Sequence, residues 1–296
     1  MKIGQYAGIS GWAKIGIWLG IMLAAVLLLT ILSGVIMACC GPINMTTDWI
    51  RGAMVYQDVF ILIVPVLLTV SLCRTQPKEW LHLTKPKTSY LIYAILLMLV
   101  ALPFNNLLAH WNEQMVLPES WAGIEEWMKQ KENASEQLIE QLMGETQLGC
   151  LVLNVLVVAV LAGLSEEICF RGMIQGSLGH NHWGIWLTAI LFSAIHLQFY
   201  GFVPRMLLGA LFGYMMVWSG SIWIPITMHI TNNACVTILY YIAHLRGMDT
   251  TKMDAFGTGD TLWVGIVCGI IVVVGIYFLR RSMTINSASS RTSAGN

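Results

Sequence analysis

The chain has 296 residues, of which 56% are hydrophobic and only 11% charged, with a mean hydropathy of +0.68. That composition belongs to a polytopic membrane protein and excludes an ordinary soluble domain. Sixteen basic and sixteen acidic residues cancel, so nothing points to a nucleic-acid partner, and the information lies in where the charges sit.

Lys2 and Lys14 precede an apolar run from Ile15 to Ala38, long enough to cross a bilayer and too long for a signal-peptide core. Ile36-Met37-Ala38-Cys39 resembles a lipoprotein cleavage box, but an uncleaved first span fits better because further spans follow. The second span, Met54 to Cys73, is expected to kink at Pro65 and carries Asp58 near one end, which could line a polar cavity although an interfacial position is the simpler reading. Arg74, Lys78, Lys85 and Lys87 form the most basic short loop, which should face the cytoplasm. The third span, Ser89 to Ala109, completes an N-terminal unit over residues 1–110.

Residues 111–146 change character. Glu113, Glu119, Glu125, Glu126, Glu132, Glu136, Glu140 and Glu145 are interleaved with Trp121 and Trp127, and Leu138, Ile139, Leu142 and Met143 recur at helical spacing. This reads as one or two amphipathic helices on the face opposite the basic loop, either gating access or simply connecting. Asn133-Ala134-Ser135 matches a glycosylation acceptor pattern, a weak signal. A core over 147–245 follows, with spans at Leu148–Phe170, Trp183–His196, Phe202–Trp218 and Ile222–His244. An eighth span, Leu262 to Leu279, lies within 246–281 and ends in Arg280-Arg281, leaving a Ser/Thr/Asn-rich tail, 282–296, expected to be disordered. The expected fold is therefore all-α, a polytopic integral membrane protein of about eight transmembrane helices in the inner or plasma membrane. An even count puts both termini on the cytoplasmic side with Lys2, Lys14, the basic loop and Arg280-Arg281. The seven cysteines lie mostly in or beside apolar runs without CxxC-like spacing, and read as small apolar residues.

Glu166 and Glu167 end an apolar run in which each ionisable side chain costs about 2.5 to 3.5 kcal/mol. Glu167 and Arg171 are four apart and can pair, whereas Glu166 lies about one hundred degrees round the helix. One glutamate is thus left for other work. His196, and the pair His229 and Asn233, lie on further apolar spans, and buried polar groups converge, so a cavity between spans 4, 5 and 7 is expected. Phe192, four before His196, can pack beneath that ring. A carboxylate, two imidazoles and a carboxamide in a secluded site suit addition of water to a carbonyl. The chain has neither GxSxG nor HExxH, which disfavours a serine nucleophile or an ordinary zincin.

Glu166-Glu167-x-x-x-Arg171, Phe192-x-x-x-His196 and His229-x-x-x-Asn233, in that order, resemble the three motifs of the CAAX protease and bacteriocin-processing family of intramembrane endopeptidases, over about residues 145–245. The resemblance implies that Glu166 and His196 activate water, that His229 and Asn233 form an oxyanion hole, and that Glu167 and Arg171 orient the helix. It implies a peptide or membrane-protein substrate within the lipid bilayer, with peptide maturation, bacteriocin processing or self-immunity as the setting. No cofactor is expected; if zinc were used, Glu166, His196 and His229 would be its ligands. The alternative readings are a non-catalytic scaffold or immunity protein, and a proton-coupled carrier, though the paired Gly/Pro breaks of carriers are missing.

Overall fold

The protein is described by a computed structural model covering residues 9–41, 45–73 and 76–293. Lys2 and Arg74 lie outside the described residues. Among those described, the regular structure is helical throughout: α1 (Gly11–Cys40), α2 (Thr47–Leu72), α3 (Thr88–Glu113), α4 (Ala122–Met143), α5 (Leu148–Leu178), α6 (His182–Ala194), α7 (Phe202–Ser219), α8 (Trp223–Leu245) and α9 (Leu262–Ser293). The last helix runs on beyond Arg280-Arg281 as far as Ser293.

Local chemistry starts several of these helices. Ser10, Thr46 and Asn181 each turn a side-chain oxygen onto an otherwise unpaired backbone N–H of the first turn of α1, α2 and α6. Gly220, at φ +66°, closes α7 with its N–H on the Met216 carbonyl, a backbone conformation that costs glycine nothing.

Among the described residues six helices are long and apolar enough to cross a membrane, and α6 and α8 are not among them. α8 carries His229, Asn232 and Asn233, which lower its hydropathy, and α6 has only 13 residues. At 1.5 Å per residue α6 is about 20 Å long, short of a hydrocarbon core of about 30 Å. The loop that follows it, with His196 at its start, is held by Asn112 near the end of α3 and by α4.

The connections sort to two ends. At one end Lys14 lies over the Trp80 ring, Ile222 N–H donates to the His82 carbonyl, Ser221 Oγ donates to the Thr84 carbonyl, and Tyr90 Oη donates to the Ser282 carbonyl. At the other, Gln141 donates to the Met45 carbonyl, Asn106 to the Met253 carbonyl and Tyr241 to the Thr146 carbonyl. Lys14, Lys78, Lys85 and Lys87 thus share one end, and the Glu-rich segment occupies the other. This alternation of helices, with the apolar surfaces of α1 and α9 left outward, is that of a bundle built for lipid.

Two apolar clusters flank the centre. One joins α3, α7, α8 and α9 through Met98, Phe212, Met228 and Val272; the other joins α1, α2 and α5 through Trp18, Val66, Phe170 and Met173, with Phe192 of α6. α2 and α5 also contain π-helical stretches, Gln57–Ile63, Val155–Leu161 and Ile168–Gln175. Such widened turns re-aim the side chains around them and recur at functional sites.

Candidate active site

The site is assembled on α5. Gly163 allows α8 to come close, since a Cβ there would stand 3.0 Å from Ile230 Cγ1 and 3.1 Å from its backbone nitrogen. That approach brings His229 to the two glutamates. Glu167 and Arg171 are both wholly buried and paired, with Arg171 Nη1 donating to Glu167 Oε1 at 2.9 Å. Arg171 Nη2 donates to the Gly209 carbonyl at 2.9 Å, and one turn on Gln175 donates to the Gly213 carbonyl at 3.2 Å. These two rungs fasten α5 to α7, and both receiving positions are glycines, where a Cβ would press on Phe192 and Arg171 at Gly209 and on the Gln175 carboxamide and Ile185 at Gly213. The guanidinium also lies 4.6 Å over the Phe192 ring and 5.4 Å over Phe212, so its faces are covered by aromatic surface.

His229 sits between the carboxylates. Its Nδ1 is 2.8 Å from Glu167 Oε1, and its Nε2 is 3.7 Å from Glu166 Oε2. A carboxylate only accepts, so Nδ1 carries a proton, and Nε2 is turned to Glu166. Phe192 and Phe212 hold the ring from two sides, at centroid distances of 5.8 and 5.4 Å. His196 places Nδ1 2.8 Å from the Phe192 carbonyl, which likewise assigns its proton to Nδ1, and its ring meets that of Phe192 edge-on at 5.1 Å. The two glutamates differ in access: the Glu167 side chain is fully buried, whereas that of Glu166 is 15% exposed, and its Oε2 makes no hydrogen bond among the described residues.

The structure therefore brings together Glu166, Glu167, Arg171, Phe192 and His229, with His196 beneath Phe192. Asn233 lies on the same α8 face, one turn beyond His229, but its Nδ2 donates to the Val158 carbonyl at 3.1 Å, and its Oδ1 accepts from Asn232. Among the described residues no three or more His, Cys, Asp or Glu side chains are grouped so as to hold a metal ion, and Glu166, His196 and His229 do not form such a set.

Several contributors lie outside the three motifs. Asp58, which looked interfacial, is 2% exposed and accepts from Ser165 Oγ at 2.9 Å. Gln175 stands one turn after Arg171, a spacing that in hindsight marks the same face. The loop after His196 is tied by Asn112, whose amide nitrogen donates to the Phe199 carbonyl while its oxygen accepts the Val203 N–H. Leu197 takes a positive φ of 55°, a strained value for a bulky residue, at the turn where the chain reverses. α4 docks on that loop: Trp127 packs on Phe199 at 5.2 Å and the Tyr200 N–H donates to Glu132. Burial pushes the Glu132 carboxyl up from its ordinary range, with the Tyr200 amide opposing. A groove of about 320 Å³, lined by Glu113, Lys129, Glu132, Glu136 and Tyr200, opens between them.

The segment bearing all these motif residues can be compared with known families. Residues 148–235 match the Rce1-like family model, described as Type II CAAX prenyl endopeptidase Rce1-like. The resemblance read from the three motifs is thereby borne out, and with its apolar helices the chain is a multi-pass membrane protein. An uncharacterized protein of Bacillus subtilis (strain 168), YpbD, is 26% identical over 97 residues, covering 31% of this chain and 49% of that protein. An uncharacterized 24.3 kDa protein of Escherichia coli is 26% identical over 103 residues, covering 32% of this chain and 48% of its own length. The chain thus spans about half the length of the curated relatives it matches. No solved structure matches.

Proposed function

We propose that this chain is an intramembrane endopeptidase that hydrolyses a peptide bond of a membrane-associated or small secreted peptide, using water activated by a glutamate. The observation that carries the reading is the division of labour between adjacent carboxylates: Glu167 is committed to Arg171 and His229, while Glu166 is reachable and faces His229 Nε2. The match of residues 148–235 to a family of CAAX prenyl endopeptidases supports the same activity.

In this reading Glu166 takes a proton from water as the oxygen attacks the scissile carbonyl, and His196 orients that water through its free Nε2. The carbonyl oxygen becomes an oxyanion that takes hydrogen bonds from Asn233, which exchanges its bond to the Val158 carbonyl for the substrate, and from His229, whose ring, protonated at both nitrogens between the two carboxylates, donates through Nε2 while Nδ1 stays on Glu167. The proton held by Glu166 passes to the leaving nitrogen, the C–N bond breaks, and a carboxylate and an amine depart. Glu167 holds His229 through Nδ1 and so fixes the direction of its Nε2, and Arg171 fixes Glu167. No resident metal takes part. The setting is bacteriocin or peptide maturation, or self-immunity, in the inner or plasma membrane, with both termini and the basic loop cytoplasmic.

Peptide N-termini in membranes of cells expressing the intact chain or its Glu166→Ala variant, at equal protein level, test this. Termini that appear only with the intact chain, and that vanish equally with His196→Ala, are expected. Identical profiles from the intact and Glu166→Ala chains would leave the scaffold reading in its place. Prolonged chelation before assay should leave the rate within about twofold if water is activated by Glu166 without a metal; a loss restored by added zinc would reverse that.

A further inference from the structure

Asp58 stands near the middle of α2, 2% exposed, inside the π-helical stretch Gln57–Ile63. The reaction above makes no use of it, and it lies outside the segment matched by the family model. An ionisable side chain buried among spanning helices is costly to keep without a purpose. Its hydrogen bond is to Ser165, and the other carboxylate oxygen is buried without a partner among the described residues.

Ser165 immediately precedes Glu166 and is wholly buried. Its hydroxyl lies 2.9 Å from Asp58 Oδ1 and 3.0 Å from the Ala162 carbonyl of its own helix. A hydroxyl has one proton to give, and a carboxylate is the stronger acceptor. Without Asp58 that proton turns wholly to Ala162, an intrahelical bond of the kind that bends helices. Asp58 thus acts on the turn of α5 between the π-helical stretches Val155–Leu161 and Ile168–Gln175, where Glu166 and Glu167 sit.

We propose that Asp58 is a positioning residue for Glu166, holding Ser165 from a neighbouring helix so that the adjacent carboxylate faces His229. The proposal rests on the reading of Glu166 as the base. Small displacements of a reacting group cost rate out of proportion to their size, so the contact should show in turnover rather than in substrate affinity.

The test is made on the full chain in detergent or liposomes, with a substrate from the terminus comparison. Asp58→Ala and Ser165→Ala should each lower kcat at least about tenfold with KM within about twofold. Asp58→Asn keeps an oxygen that accepts the hydroxyl and should restore kcat to within about threefold. The double variant Asp58→Ala/Ser165→Ala should be no slower than either single one, because a single contact is removed. A wild-type kcat in folded Asp58→Ala, or losses that multiply, overturns the proposal; where Asp58→Ala does not fold, Ser165→Ala alone decides. If the wild-type chain cleaves nothing, the endopeptidase reading falls, and positioning is judged from thermal unfolding. Tm shifts of Asp58→Ala and Glu166→Gln that are non-additive then support it, and shifts that simply add overturn it.

Discussion

Arg171 illustrates what a single side chain does in this bundle. It is fully buried, and it neutralises Glu167, ties α5 to the Gly209 carbonyl and is covered by Phe192 and Phe212. Removing one member of a buried ion pair leaves the other charge uncompensated, at a cost of about 3–5 kcal/mol, whereas removing both is far milder. Arg171→Met should therefore lower the thermal midpoint in detergent sharply, and Glu167→Gln/Arg171→Met should recover part of that loss; equal midpoints for single and double variants would deny the pair. Its existence could be read from the four-residue spacing. That Glu167 also binds His229 Nδ1 could not, because that partner arrives from α8, sixty-two positions away. The same holds for Asp58, whose position along its helix looked interfacial until Ser165 was found against it.

At the scale of elements, the glycines of α7 separate close packing from open surface. A Cβ on Gly213 would stand 2.6 Å from Gln175 Oε1 and 3.0 Å from Ile185 Cγ2, while one on Gly34 of α1 would meet nothing within 4 Å. Gly213→Val should cost about 1–3 kcal/mol by forcing α7 from α5 and α6, and Gly34→Ala should leave the midpoint unchanged; the two unfolding curves together check that α7, not α1, is the packed partner. Helix positions were readable because long apolar runs with polar breaks admit few alternatives. The amphipathic α4 was readable as a helix but not as a docked one, since Trp127 and Glu132 meet Phe199 and Tyr200, which are distant in sequence. The π-helical stretches left no trace in composition; they reflect how α2 and α5 accommodate their neighbours.

Across the whole molecule, loops from distant parts of the chain meet at the basic end. His82 and His180 bring their Nε2 atoms to 3.2 Å, and burial lowers both from the ordinary histidine range. A lowered histidine contributes stability that is present above the unfolded value of about 6.5 and is lost as pH falls below it, because the unfolded chain takes up the proton first. The midpoint should drop on acidification from pH 7 to pH 5, and His180→Asn should make that drop smaller; an unchanged pH dependence would show that the contact does not hold the loops. The two-ended sorting of charge is expected to set orientation as well. With Lys85→Cys and Lys131→Cys at opposite ends, an impermeant thiol reagent should label the second in intact cells and the first only after permeabilisation, each compared with the unsubstituted chain.

By itself the sequence determined the class of the molecule, the course of most helices, the basic and acidic ends, and the identity of the motif residues. Each of these follows from hydropathy, charge and spacing, which are properties of short stretches of chain. Only the tertiary structure decided which glutamate is committed and which is reachable, how both imidazoles are turned, that Gln175 and two glycines fasten α5 to α7, and that Asp58 belongs at the centre. Those are contacts between helices, and their partners are selected by packing across the bundle, where separation along the chain carries no information.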